Sequence, residues 1–190
     1  MSTLTLKWRD QLLSILCESA LQELPEPIKL ASGAWSSHFI DGKEALARWS
    51  DLRIASEAIL ETVTEGGHSF DAVGGLTLGA DALAVGVAAV SDSEWFFVRK
   101  EAKDRGTRRQ IEGARIGAAD KVLLVDDVVT TGGSIFKALS AIQETGARVV
   151  AAVTLVDRGD LARQRFEEAG VAYYPMATYE DLDIPPVRFG

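Results

Sequence analysis

The chain has 190 residues, 47% of them apolar and 25% charged, a balance that fits one soluble domain able to bury a sizeable core. Its 20 basic and 28 acidic residues leave a formal net charge of −8, which argues against a general nucleic-acid or anionic-membrane binder. No apolar run approaches the roughly 20 residues that cross a bilayer, the first residues lack a signal-peptide core, and the single cysteine, Cys17, excludes an internal disulfide, so a reducing cytoplasm is the expected setting.

Residues 4–24 carry apolar side chains at helical spacing (Trp8, Leu12, Leu13, Ile15, Leu16, Leu21, Leu24) and then meet Pro25 and Pro27, which predicts a helix that stops there. Cys17 falls on the apolar face of that helix and is expected to be a buried structural thiol. Residues 28–41, with Ser32-Gly33 followed by Ser36-Ser37-His38-Phe39-Ile40, predict a turn between short extended pieces. Helical spacing returns over 44–65, as one long or two short helices ending at Gly66-Gly67.

From residue 70 short apolar runs alternate with amphipathic stretches. Phe70–Val73, Trp95–Val98, Lys121–Val125 and Arg148–Val156 read as strands, Ala80–Val90 and Ser134–Glu144 as helices. The runs 122–125 and 149–156 are continuously apolar, as strands covered on both faces of a parallel sheet are. The expected fold is therefore α/β, a doubly wound, mostly parallel sheet with helices on both faces. It makes one domain over 1–190, with an N-terminal elaboration over 1–66 and the core over 67–190. Residues 171–190 resemble a final strand and a tail, the four tryptophans read as core or interface packing, and His38 and His68 offer no zinc-ligand cluster.

Two stretches carry chemistry. Between Arg99 and Arg115 seven basic residues stand against three acidic ones, and the run includes Gly106 and Gly113 and lies between two predicted strands. By itself it is either a solvated loop or a basic flap that closes over a polyanion. The other stretch is Val122-Leu123-Leu124-Val125-Asp126-Asp127-Val128-Val129-Thr130-Thr131-Gly132-Gly133-Ser134, where an apolar strand reaches two adjacent carboxylates and then a loop of small and hydroxyl residues that opens a helix. Backbone N–H groups at such a helix start cradle a phosphate. Two carboxylates beside a buried strand repel each other unless hydroxyls or a cation satisfy them, and a ribose phosphate would satisfy both halves. Neither a P-loop nor a dinucleotide-binding glycine pattern occurs.

The stretch Val125 to Ser134 resembles the 5-phosphoribosyl-1-diphosphate (PRPP) signature of type I phosphoribosyltransferases, and Arg99-Lys100-Glu101-Ala102-Lys103 resembles the flexible loop of their orotate branch. The resemblance runs from about Ile28 to Arg158, and Gly74-Gly75-Leu76-Thr77-Leu78-Gly79-Ala80 is similar to the family's pyrophosphate loop. It implies that Asp126 and Asp127 hold the ribose hydroxyls and that Val128, Val129, Thr130, Thr131, Gly132, Gly133 and Ser134 hold the 5-phosphate. Arg99, Lys100 and Lys103 would bind pyrophosphate, and Thr130 and Arg158, with Phe39, the orotate ring. Lys103, Asp126 and Asp127 are the implied catalytic residues, Mg²⁺ the implied cofactor, held mainly by PRPP, and a homodimer that shares the 99–113 loop the implied assembly. Arg105 stands where the family usually has a histidine, Leu78 where many members have lysine, Ala31 where some have lysine, and Phe39-Ile40 where there is an aromatic pair. A PRPP-sensing protein without catalysis and transfer to another base remain alternatives.

Overall fold

The computed structural model describes residues 7–30, 33–101 and 110–187. Helix α1 (Lys7–Ile15) continues as one wide π-helical turn, Leu16–Ala20, and then gives way to strand β1 (Leu21–Lys29), which pairs antiparallel with β2 (Trp35–Ile40). The predicted helix over 4–24 is thus too long. The residue before a proline prefers extended backbone, and the pairing slips between Glu23 and Ile28, so Pro25 and Pro27, which have no N–H to give, lie in the irregular part of the ladder. Cys17 is exposed rather than buried, because only Leu12, Leu16 and Ala20 of this segment turn fully inward.

A short helix α2 (Gly42–Ala45) and a long one, α3 (Trp49–Glu65), follow, two helices where the spacing allowed one or two. Then come β3 (Ala72–Leu76), α4 (Asp81–Ser91), β4 (Glu94–Val98), β5 (Ile111–Gly113), β6 (Lys121–Val129), α5 (Gly133–Gln143), β7 (Arg148–Asp157), α6 (Leu161–Glu168) and β8 (Ala172–Thr178). The main sheet has the order β5-β4-β3-β6-β7-β8. All its neighbours are parallel except β5, which returns antiparallel along β4. The sheet is the doubly wound one expected, with β5 and α6 added.

Strand β6 shows how the core is built. Leu123 and Val125 pack with α1, α3 and α4 on one face, while Val122 and Leu124 pack with α5 and α6 on the other. A period of two with both sets buried makes the run continuously apolar. Of the four tryptophans only Trp8 packs against this core. Trp35, Trp49 and Trp95 are 69%, 56% and 41% exposed, and Trp8 is half-buried.

The order of the strands decides where a ligand goes. After β3 the chain crosses to β4 on one side, and later returns to place β6 on the other side of β3. Loops leaving β3 and β6 diverge there and open a crevice at the carboxyl ends of the strands.

Candidate active site

That crevice holds Leu76-Thr77-Leu78-Gly79 after β3 and Asp126 to Ser134 along the end of β6, and the β1–β2 sheet with α2 roofs it. A cavity of about 430 Å³ lies between them, lined among others by Phe39, Lys43, Gly79, Asp127, Thr130 and Arg158. A second one, of about 260 Å³, is lined by Thr130 to Ser134 with Asp126, Val128 and Val129. Asp126 and Thr130 border both, so the two form adjoining halves of one site.

Strand β6 does not stop at the two carboxylates. Its pairing with β7 continues to Val128 opposite Val156 and Val129 opposite Asp157, so the acids are part of the sheet and are held by its ladder. Asp126 is only 4% exposed. Asp126 Oδ1 accepts from the Asp127 N–H at 3.0 Å and Asp127 Oδ1 from the Val128 N–H at 2.7 Å. Burial, and then the charge of Asp127, push the Asp126 carboxyl up to about 7. Gly79 makes the close approach of the β3 loop possible, since a Cβ there would lie 2.6 Å from Asp127 Oδ1 and 2.7 Å from Asp126 Oδ1.

The second oxygen of Asp127 meets a residue that the sequence reading did not single out. Lys43 Nζ lies 3.1 Å from Asp127 Oδ2 and 3.7 Å from Asp41 Oδ1. Burial works against its charge, but the hydrogen bond and charge of Asp127, helped by Asp41, hold the ammonium above its ordinary value. Lys43 and Asp127 are 84 residues apart, and no spacing rule links them. The cue was local. Asp41 caps α2 by accepting from the N–H groups of Lys43 and Glu44, which fixes the start of the helix that carries the lysine.

After β6 the chain turns through Gly132, whose φ of +80° suits glycine, into the first turn of α5. Thr130 to Ser134, with three hydroxyl side chains and the start of α5 among them, line the smaller cavity, and the helix dipole favours an anion there.

Arg158, just beyond β7, is 2% exposed. Its Nη1 donates to the His38 carbonyl at 2.8 Å and its Nη2 to Ser36 Oγ at 3.0 Å, which ties the β1–β2 roof to the core. It pairs with neither Asp157 nor Asp160. Its Nε has no hydrogen-bond partner among the described residues. Below it, buried Asp157 accepts from the Gly159 N–H and from the Tyr173 hydroxyl at 3.1 and 3.0 Å. Phe39 is half-buried in the wall of the larger cavity.

The basic stretch is brought in only partly. The Arg99 N–H donates to the Gln110 carbonyl and Gln110 Nε2 to the Arg99 carbonyl, which closes the two stems of the loop on each other. Arg99 stands 3.7 Å from Glu112 in a neighbouring cavity that shares Thr77, Leu78 and Lys100 with the larger one. Of the two only Lys100 reaches the cavity of the acidic pair. Lys103 and Arg105 lie outside the described residues. Leu78, at the tip of the β3 loop, is 75% exposed.

Comparison with known proteins agrees with this geometry. The phosphoribosyl transferase domain family matches residues 43–169. The chain is 39% identical over 153 residues to the orotate phosphoribosyltransferase of Pyrococcus furiosus, covering 80% of this chain and 84% of that one. It is 37% identical over 180 residues to the enzyme of that name from Aquifex aeolicus, covering 92% and 97%. Among solved structures, the orotate phosphoribosyltransferase of Aeropyrum pernix superposes with a TM-score of 0.77 at 31% identity, covering 90% of this chain and 95% of that one. The Mycobacterium tuberculosis enzyme in complex with PRPP does so with 0.75 at 27% identity, covering 93% and 99%.

Proposed function

The chain belongs to the phosphoribosyl transferase domain family and, within it, to the orotate phosphoribosyltransferases, and from that premise we propose that it transfers the 5-phosphoribosyl group of PRPP to orotate, giving orotidine 5′-monophosphate and pyrophosphate in pyrimidine biosynthesis. The observation that carries this reading is the pairing, at one switch point, of two carboxylates with an anion-binding helix start under a roof held by a buried arginine.

In this reading the carboxylates of Asp126 and Asp127 accept from the ribose hydroxyls, Asp127 sharing its Oδ2 with Lys43. The N–H groups and hydroxyls from Val128 to Ser134, through Val129, Thr130, Thr131, Gly132 and Gly133, hold the 5-phosphate. Orotate lies in the larger cavity between Phe39 and Thr130, with Arg158 in the cavity wall on the side of its carboxylate. A ring nitrogen of orotate forms the new bond to C1 while the bond from C1 to the diphosphate oxygen breaks, and the electron pair leaves with pyrophosphate. Arg99, Lys100, Lys103 and Arg105 neutralise that leaving group. The roof and the basic loop keep water from the electron-poor C1.

Mg²⁺ fits the same site. The carboxylates of Asp126 and Asp127, which line the larger cavity, would favour a cation carried in with PRPP, and that cation would lower the charge of the diphosphate. We read residues 1–190 as one unit, with 1–66 as roof and support and 67–190 as the core that binds PRPP. The active form is a cytoplasmic homodimer in which the 99–113 loop of each subunit completes the site of the other.

The test is orotate consumption, followed by its ultraviolet absorbance with PRPP and Mg²⁺, on the wild type and on Lys103→Ala. The expected result is a PRPP-dependent fall that the variant slows by at least about a hundredfold, the usual cost of losing one well-placed donor to a developing charge. PRPP binding without orotate consumption would favour a sensor or another base, and a variant of near-normal rate would remove Lys103 from the mechanism.

A further inference from the structure

A loop that converges its N–H groups on an anion sends its carbonyls the other way, and each of those needs a partner. The Gly132 carbonyl finds one in α5, where it accepts from the Phe136 N–H at 2.9 Å. The Thr131 carbonyl, one residue earlier, accepts instead from Arg165 Nη1 of α6 at 2.9 Å, across 34 residues of sequence.

Arg165 is exposed, yet its guanidinium has a built seat. It lies 3.9 Å from the centroid of the Phe136 ring, a stacked arrangement that suits the planar cation. Phe136 in turn packs on Phe166 at 4.4 Å between centroids, and Phe166 on Tyr173 at 4.8 Å. The Tyr173 hydroxyl is held by Asp157 and Thr154. The row of rings therefore runs from β8 through α6 to α5 and ends beneath the loop, for a Cβ on Gly132 would meet the Phe136 ring at 2.8 Å.

We propose that Arg165 is a positioning residue for the phosphate loop: clamped on Phe136, it holds the Thr131 carbonyl outward so that the N–H groups from Thr131 to Ser134 stay converged on the 5-phosphate. This rests on the reading that the loop takes the 5-phosphate of PRPP. Arg165 itself touches no reacting atom. Its effect belongs to the affinity for phosphate at this loop and not to the chemical step or to the pyrophosphate end of the site.

The experiment compares the full-length wild type with Arg165→Ala and Arg165→Lys. It measures KM for PRPP, kcat, inhibition by ribose 5-phosphate, inhibition by pyrophosphate, and melting temperature. For Arg165→Ala we expect KM for PRPP and Ki for ribose 5-phosphate to rise together by about five- to tenfold, the size of one ordinary net hydrogen bond, with kcat and the pyrophosphate Ki within about twofold of wild type. Arg165→Lys keeps the charge but loses the planar fork and the stack, and stays within about twofold of the alanine variant. An unchanged ribose 5-phosphate Ki, an equal weakening of both inhibitors, or full recovery by lysine each overturns the proposal. Failure of the wild type to consume orotate would strike the proposed function instead, and ribose 5-phosphate affinity by calorimetry would still decide the role of Arg165.

Discussion

Asp126 carries the most pH-sensitive charge in the site. Its carboxyl, pushed up by burial and by Asp127 to about 7, keeps its proton over a range in which the unfolded chain has lost it. The folded state then binds more protons than the unfolded one, so its contribution makes stability fall as pH rises from about 4 to about 7 and level off above. Asp126→Asn removes that slope. Urea unfolding should show the variant gaining on the wild type between those limits while it loses activity, and parallel curves would sink the assignment. Ribose hydroxyls donate more strongly to the ionised acid than to the protonated one, so KM for PRPP should drop as pH rises through the same upper limit. Lys43 is the cation that opposes this rise at Asp126, with Asp41, Lys100 and Arg158 the other charged groups around this cavity among the described residues. Lys43→Met should move that drop to higher pH and Lys43→Arg should restore it, both read from KM profiles. Lys43 was invisible in the sequence because an ion pair across 84 residues leaves no local pattern. The acidic pair was visible because adjacent carboxylates at an apolar strand are costly wherever they occur.

At the scale of elements, the β3 loop and the β6 strand must approach closely, and Gly79 is where they do. Gly79→Ala would drive a Cβ to 2.6 Å from Asp127 Oδ1. Since a displacement of about 1 Å costs on the order of a hundredfold, kcat/KM should fall by tens of fold or more while the melting temperature moves by only a few degrees. A near-normal kcat/KM would mean that the loop has room to yield. Strands β3, β4, β6, β7 and β8 and the helices α4 and α5 were legible, since period and run length differ sharply between them. The β1 segment was not. Its apolar residues extend a helical pattern past the point where pairing with β2 offers the backbone a ladder, and propensity yields to tertiary partners. Strand β5 is three residues long and exists only because the stem of the basic loop returns along β4.

The whole molecule sets two further expectations. Leu123 is fully buried between sheet and helices, and Leu123→Ala should cost about 2–5 kcal/mol in denaturant unfolding, with the higher end indicating a site that does not collapse. If the basic loop completes the partner's site, Lys103→Ala and Asp127→Asn bring both lesions into one site of a mixed dimer and leave its other site intact. Mixing the two nearly inactive proteins under exchange should then recover roughly a quarter of wild-type activity, since half of the dimers are hybrids with one intact site. A loop that serves its own subunit would recover none.

By itself the sequence determined the α/β class, the doubly wound sheet, the acidic pair and the loop that follows it, because each is written in residues close together along the chain: apolar runs, adjacent charges, glycines beside hydroxyls. Only the tertiary structure decided which side chains complete the site. Lys43 on Asp127, Arg158 under the roof strand and Arg165 behind the phosphate loop come from three elements, and they meet because β6 lies beside β3 and the roof folds over both. Such contacts depend on strand order and crossing, and those follow from the packing of the whole sheet rather than from any local stretch.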